Sequence, residues 1–240
     1  MSIAESPSPA ASPVASMGVI PLAQRSLGDI AASLPGATAV FRRHKLDFCC
    51  GGNVALAAAA AGKGLSADTI VAELDVLDPG LFAQPPREAA ALIEHVLARY
   101  HTVHRRELPE LVRLARRVEA VHRDHPDVPA GLAHALESMQ SELGDHMDKE
   151  ETILFPLMRQ GGHPMIAHPV SRMRLEHDDH GERLRAIEAL SRGAIPPPGA
   201  CATWRALYTG VRKLADDLME HIHLENNVLF PQFERAQASG

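Results

Sequence analysis

His146 and Glu150 stand four positions apart in "HMDKEETILFP" (146–156), and His221 and Glu225 repeat that spacing in "HIHLENNVLFP" (221–231). Residues i and i+4 share one helix face about a turn apart, so each imidazole–carboxylate pair can aim at one point. Imidazole with carboxylate is a ligand set for iron, zinc or manganese. The spacing alone carries little, because a chain with this His and Glu content contains about one such pair by chance. The repeated setting carries more: "ELGDHMDKEETILFP" aligns without a gap with "DLMEHIHLENNVLFP".

An earlier pair of phrases also matches. "RYHTVH" holds His101 and His104, and "LEHDDH" holds His177 and His180. The chain thus reads as two helical hairpins of one design, each with H-x-x-H on its first helix and H-x-x-x-E on its second. Folded together they would bring His101, His146, Glu150, His177, His221 and Glu225 to one place as metal ligands. Buried carboxylates are costly unless paired or metal-bound, and two facing each other repel. A pair of cations between them removes that repulsion, and iron best fits a binuclear centre in which both Glu bridge and each metal takes two His. A water-derived oxygen bridge and an open position for O2 or NO would complete it.

Neighbouring polar residues rank lower. His104 and His180 lie one turn from His101 and His177 and read as supporting partners or proton carriers. Glu151 is turned about 100° from Glu150, and His223 about 200° from His221, so His223 is expected to face solvent. The remaining His residues read as surface or satisfied core positions.

These ligands require long helices to position them. Apolar residues make up 45% of the chain and aromatics 4%, with few period-two runs, which favours an all-α fold. Helical stretches are expected near 87–122, 130–160, 169–192 and 202–236, joined by short connections as an up-down-up-down four-helix bundle over 86–237. Pro109, Pro156 and Pro231 are expected to kink or end their helices. "PGLFAQPP" (79–86) separates the bundle from a small helical domain over 22–80. There Ser26 and Ser66 read as N-caps, a short helix is expected near 54–62, and "DFCCGG" reads as the end of the first helix, its glycines permitting a left-handed turn. The Ser-, Pro- and Ala-rich segment 1–21 reads as a disordered tail.

The net charge of −6 gives no reason to expect nucleic acid or an anionic membrane as partner. The longest apolar run, Val54 to Ala61, is too short to span a bilayer, and the N-terminus is a poor signal peptide. A cytoplasmic protein is expected. Three cysteines make no disulfide framework. The adjacent Cys49 and Cys50 are candidate reactive thiols or thiolate ligands, weighed against two small apolar residues. Cys201, opening the last helix, reads as structural.

"FRRHKLDFCCGG" followed by "RYH", "HMDKEETILFP", "EHD" and "HIHLENNVLFP" resembles the bacterial iron–sulfur cluster repair di-iron proteins, across roughly residues 22 to 235. The resemblance implies a small N-terminal domain ahead of a hemerythrin-like bundle and a non-haem centre of two Fe ions on the six ligands above. It implies repair of clusters damaged by nitric oxide or oxidants, by supplying iron, with a role for Cys49 and Cys50 and possible homodimerisation. Reduction of nitric oxide at the same centre, and an O2- or NO-binding sensor or carrier, use the same ligands and stay open as alternatives.

Overall fold

The computed structural model describes residues 20–238, with side chains described up to 234. The expected tail over 1–21 lies, apart from Ile20 and Pro21, outside the described residues. All regular elements among the described residues are helical, and one isolated bridge joins Ser26 to Ala55. No described helix is long and apolar enough to cross a membrane.

Four short helices come first: α1 (Leu27–Ser33), α2 (Ala37–Arg43), α3 (Leu56–Gly62) and α4 (Ala67–Asp75). Ser26 caps α1, its side chain accepting from the Asp29 amide at 3.1 Å, and Ser66 caps α4. Such a cap contributes about 1 kcal/mol. The reading of one helix running to the cysteines is corrected. Pro35 and Gly36, the latter at φ +90°, split it, and α2 stops at Arg43. Beyond α2, Lys45 turns left-handed at φ +52°, and the Leu46 amide closes back on the Phe41 carbonyl at 2.9 Å. Cys49 and Cys50 follow in a non-helical bend.

Four long helices form the rest: α5 (89–121), α6 (132–159), α7 (Ala167–Leu190) and α8 (202–238). Each packs on its sequence neighbours and α8 returns to α5, giving the antiparallel four-helix bundle. Three helices contain a widened π turn: Leu97–His101 in α5, Glu150–Leu154 in α6 and Leu224–Leu229 in α8. Helix α7 is regular throughout. The wider turns let consecutive residues face inward, so Leu154 and Phe155, and likewise Leu229 and Phe230, are all buried. Pro156 and Pro231 follow at the second position after two of these turns. Pro109 lies inside α5 and does not end it. Its position and that of Arg105, whose carbonyl loses its partner, are exposed to water, while Leu108, Leu111 and Val112 are buried beside it. Three such side chains at about 1.5–3 kcal/mol each outweigh a proline penalty of about 3 kcal/mol.

The buried apolar residues form two clusters. One unites the short helices with the half of the bundle that holds Leu111, Leu143, Trp204 and Leu218. The other holds Ile93, Phe155, Val170 and Phe230. The buried His and Glu lie where the two clusters meet. On α5 and α7 they stand between residues of one cluster and residues of the other. On α6 and α8 they alternate with Met147, Ile222 and Leu224 of the two clusters, so apolar residues flank the polar layer on both sides.

Candidate metal centre

All four long helices contribute to that polar layer. Helix α5 places His101 at the end of its π turn, and α6 places His146 a turn before Glu150, where its own π turn opens. Helix α7 supplies His177, and α8 supplies His221 with Glu225 inside its π turn. The structure brings all six together. Their ligand atoms form two groups, His101–His221 and His146–His177, each completed by both Glu150 and Glu225, with atoms within 4.8 Å of one another.

Each carboxylate divides its oxygens between the groups. Glu150 turns Oε2 to His101 and Oε1 to His146, both at 3.4 Å from Nε2. Glu225 turns Oε1 to His221 and Oε2 to His177, both at 3.1 Å from Nε2. The paired imidazole nitrogens are also close, 3.1 Å for His101–His221 and 3.0 Å for His146–His177. A metal about 2.0–2.1 Å from each nitrogen sets such edges at about 2.9 Å for right angles and about 3.4 Å for tetrahedral ones. Both groups fall in that window. Glu150 and Glu225 are 0% exposed, yet both Glu150 oxygens and Oε2 of Glu225 lack a hydrogen bond. Leaving a carboxylate so is worth several kcal/mol against folding unless a cation sits beside it. The donor set therefore fits metal ions.

The electrostatics follow from the same contacts. Burial opposes the charged ring of His146, but Glu150 and Glu176 outweigh it and lift it to about 10. His101 moves up for the same reason, burial being outweighed by Glu150. Burial and Glu150 both push Glu225 up, but His221 and His177 outweigh them and hold it at about 2. His221 moves down, because burial there exceeds the pull of Glu225.

The far nitrogens show what orients each ring. His101 Nδ1 pairs with Glu151 at 2.7 Å, His146 Nδ1 with Glu176 at 2.9 Å, and His177 Nδ1 with Asn226 Oδ1 at 2.9 Å. Such partners fix the ring and strengthen it as a ligand. His221 Nδ1 has no such partner; instead Tyr100 stacks flat on its ring, centroids 5.4 Å apart. Glu176 and Asn226 were not singled out from sequence, although a signal existed. Glu151 and Asn226 each follow the ligand Glu in the repeated phrases, and Tyr100 and Glu176 each precede the first His of the other pair. His104 and His180 are buried near the rings of His221 and His146, and burial pushes both down, His180 to about 3.

The description "Hemerythrin HHE cation binding domain" matches residues 92–233, and ScdA_N, a domain of unknown function, matches 23–78. The chain is 49% identical over 208 residues to the iron-sulfur cluster repair protein YtfE of Citrobacter koseri, covering 86% of this chain and 94% of the relative. The YtfE proteins of Escherichia coli and Escherichia fergusonii match over the same share at the same identity. The chain belongs to the iron–sulfur cluster repair protein family. Its HHE match spans all six of these buried His and Glu, and the cation-binding domain description together with the two buried clusters supports metal binding by the bundle.

In this repair-family chain the short helices rest on the centre. Asn226 Nδ2 donates to the Cys49 carbonyl at 3.1 Å, and Asn227 Nδ2 to the Phe48 carbonyl at 3.0 Å. The Cys50 thiol donates to the carbonyl of His177 at 3.3 Å. His223 does not face solvent as expected. It is 2% exposed, edge-on to Phe48 at 5.5 Å and bonded to Asn227 at 2.9 Å, because the short helices cover that face of α8. Gly51 and Gly52 do not take left-handed angles either. They allow close approach: a Cβ on Gly52 would stand 2.7 Å from the Phe48 carbonyl and 2.9 Å from Asn227 Oδ1. The thiol of Cys49, beside Cys50 and buried, is pushed well above its ordinary range. Cys201 precedes the first turn of α8, its Sγ 3.3 Å from His122 Nε2 and remote from the centre in sequence and contacts.

Proposed function

We propose that the chain carries two iron ions in its bundle and gives up iron to rebuild iron–sulfur clusters damaged by nitrosative or oxidative stress. One observation carries the reading: each of two buried glutamates offers one oxygen to each of two imidazole pairs, so both would bridge two ions. His101 and His221 would hold one ion, His146 and His177 the other. Bound iron would supply redox-variable charge and cargo. The rest belongs to the chain. Glu151, Glu176 and Asn226 hold three of the four imidazoles in place through Nδ1. The two apolar clusters keep bulk water from the carboxylates. The names of the YtfE relatives support repair of iron–sulfur proteins as the task.

The test is anaerobic purification with iron counting, followed by incubation with an iron–sulfur enzyme damaged by nitric oxide. About two irons per chain and restored enzyme activity are expected. The Glu150→Leu, Glu225→Leu double variant should hold no iron and restore nothing. Restoration that survives the double variant overturns iron donation. Sustained catalytic consumption of nitric oxide without restoration would assign the centre to that chemistry instead, and a reversible O2 adduct without restoration would assign it to carriage.

A further inference from the structure

A second cluster of metal-binding side chains lies outside the bundle ligands. Asp47, Cys49 and Cys50 place a carboxylate oxygen and two sulfurs within 4.8 Å of one another. We propose that these three residues form a third metal site, which takes a sulfur-favouring divalent ion of the Fe2+ or Zn2+ class.

The edges of the cluster carry the proposal. In a tetrahedral site with metal–sulfur bonds of about 2.3 Å, two thiolates stand about 3.8 Å apart. The Cys49 and Cys50 sulfurs are 3.7 Å apart. With a metal–oxygen bond of about 2.0–2.2 Å, the sulfur–oxygen edge of the same tetrahedron is about 3.6 Å. Cys49 Sγ lies 3.4 Å from Asp47 Oδ1. A disulfide needs sulfurs at about 2.05 Å, so this spacing is that of two thiols. The carboxylate is already aimed. The amides of Cys50 and Gly51 donate to Asp47 Oδ1 at 3.0 and 3.1 Å, and Arg185 stands 3.7 Å from Oδ2.

The site is also reachable. A cavity of about 220 Å³ between the short helices and the bundle opens on Asp47 and Cys49, with Met219 and Ile222 on its bundle side. Loading replaces the thiol protons with the ion and releases them to solvent, with no change in oxidation state. The position matters for traffic to the bundle. The Cys50 sulfur touches the backbone carbonyl of His177, and Asn226 links the Cys49 carbonyl to the His177 ring. An ion here would stand next to a ligand of the bundle centre, as a holding place for metal entering or leaving. That role rests on the iron-donation reading above, whereas the existence of the site does not.

The experiment uses the full chain, reduced and iron-loaded, titrated anaerobically with Co2+ and read by thiolate-to-cobalt charge-transfer absorption. One further equivalent with that absorption is expected beyond the bundle metal. Cys50→Ala, at a half-buried position, should abolish the band, and Asp47→Asn should weaken binding about tenfold. Cys49→Ser should also abolish it, with circular dichroism and bundle iron content checking the fold at this buried position. The Glu150→Gln, Glu225→Gln variant should lose bundle iron and keep the band. No band in the wild type, or a band that persists in both cysteine variants, overturns the proposal. A wild-type chain that shows the band but holds no bundle iron overturns the di-iron reading and leaves the third site standing.

Discussion

At the scale of single residues, the two His–Glu groups are unequal. His146 and His177 both have Nδ1 partners, Glu176 and Asn226, while His221 has none and Glu151 alone serves the other pair. A chelator titration of the loaded protein should therefore show two steps, the ion between His101 and His221 leaving first. Glu176→Gln should weaken the tighter step by about 10–100-fold, the usual effect of losing such a partner. A single step in the wild type, or a Glu176→Gln curve that superposes on it, would count against the ranking. The six residues that the structure brings together were legible because they are written twice in register. Their orienting partners were harder to read, since an acid or amide next to a ligand looks like solvated helix surface. Their matched positions in the two repeats distinguish them: Glu151 with Asn226 after the Glu, and Tyr100 with Glu176 before the first His. The His223 expectation failed for a physical reason: helical angle fixes which way a side chain points from its own helix, not what packs there. Here Phe48 does.

At the scale of elements, the lengths and order of the bundle helices follow from apolar spacing and short Pro- and Gly-rich connections, and the structure places them within a few residues of expectation. The π turns were not legible, because they add no residue type of their own. Their trace is the repeated Leu-Phe-Pro, in which two adjacent residues turn inward and a proline follows. In α geometry a proline ring strikes the carbonyl four residues back; a wider turn moves that carbonyl aside. The π turn of α5 is tied down differently. Arg99 within it grips Asp217 of α8 at 2.6 and 3.2 Å, and Lys213 adds a contact at 2.8 Å. Burial pushes the Asp217 carboxyl up, but Arg99 and Lys213 outweigh it and hold it below the ordinary 3.8. A carboxyl so lowered stabilises the fold above its ordinary value, and that contribution is lost as pH falls through the lowered one. Asp217→Asn should cost about 1–3 kcal/mol in urea unfolding at pH 7. The difference from wild type should shrink once pH drops below 3.8, and a gap that persists in acid would contradict the ion-pair account.

At the scale of the whole molecule, the docking of the short helices was beyond the sequence, which shows a linker but not where its cargo lands. The contacts that decide it are backbone carbonyls of Phe48 and Cys49 meeting two asparagine amides, and glycines that leave them room. Gly28 belongs to this group, since a Cβ there would stand 2.6 Å from Asn227 Oδ1. Gly52→Ala should lower the unfolding free energy by about 1–3 kcal/mol. It should also speed labelling of the buried Cys49 thiol by a small alkylating reagent, while the metal bound in the bundle stays bound. Unchanged labelling would mean that the seating does not depend on this approach. One apolar cluster runs unbroken from the short helices into the bundle. Two segments that match separate families share one interior: a bundle transplanted alone would carry a raw apolar scar and two asparagine amides stripped of the Cys49 and Phe48 carbonyls.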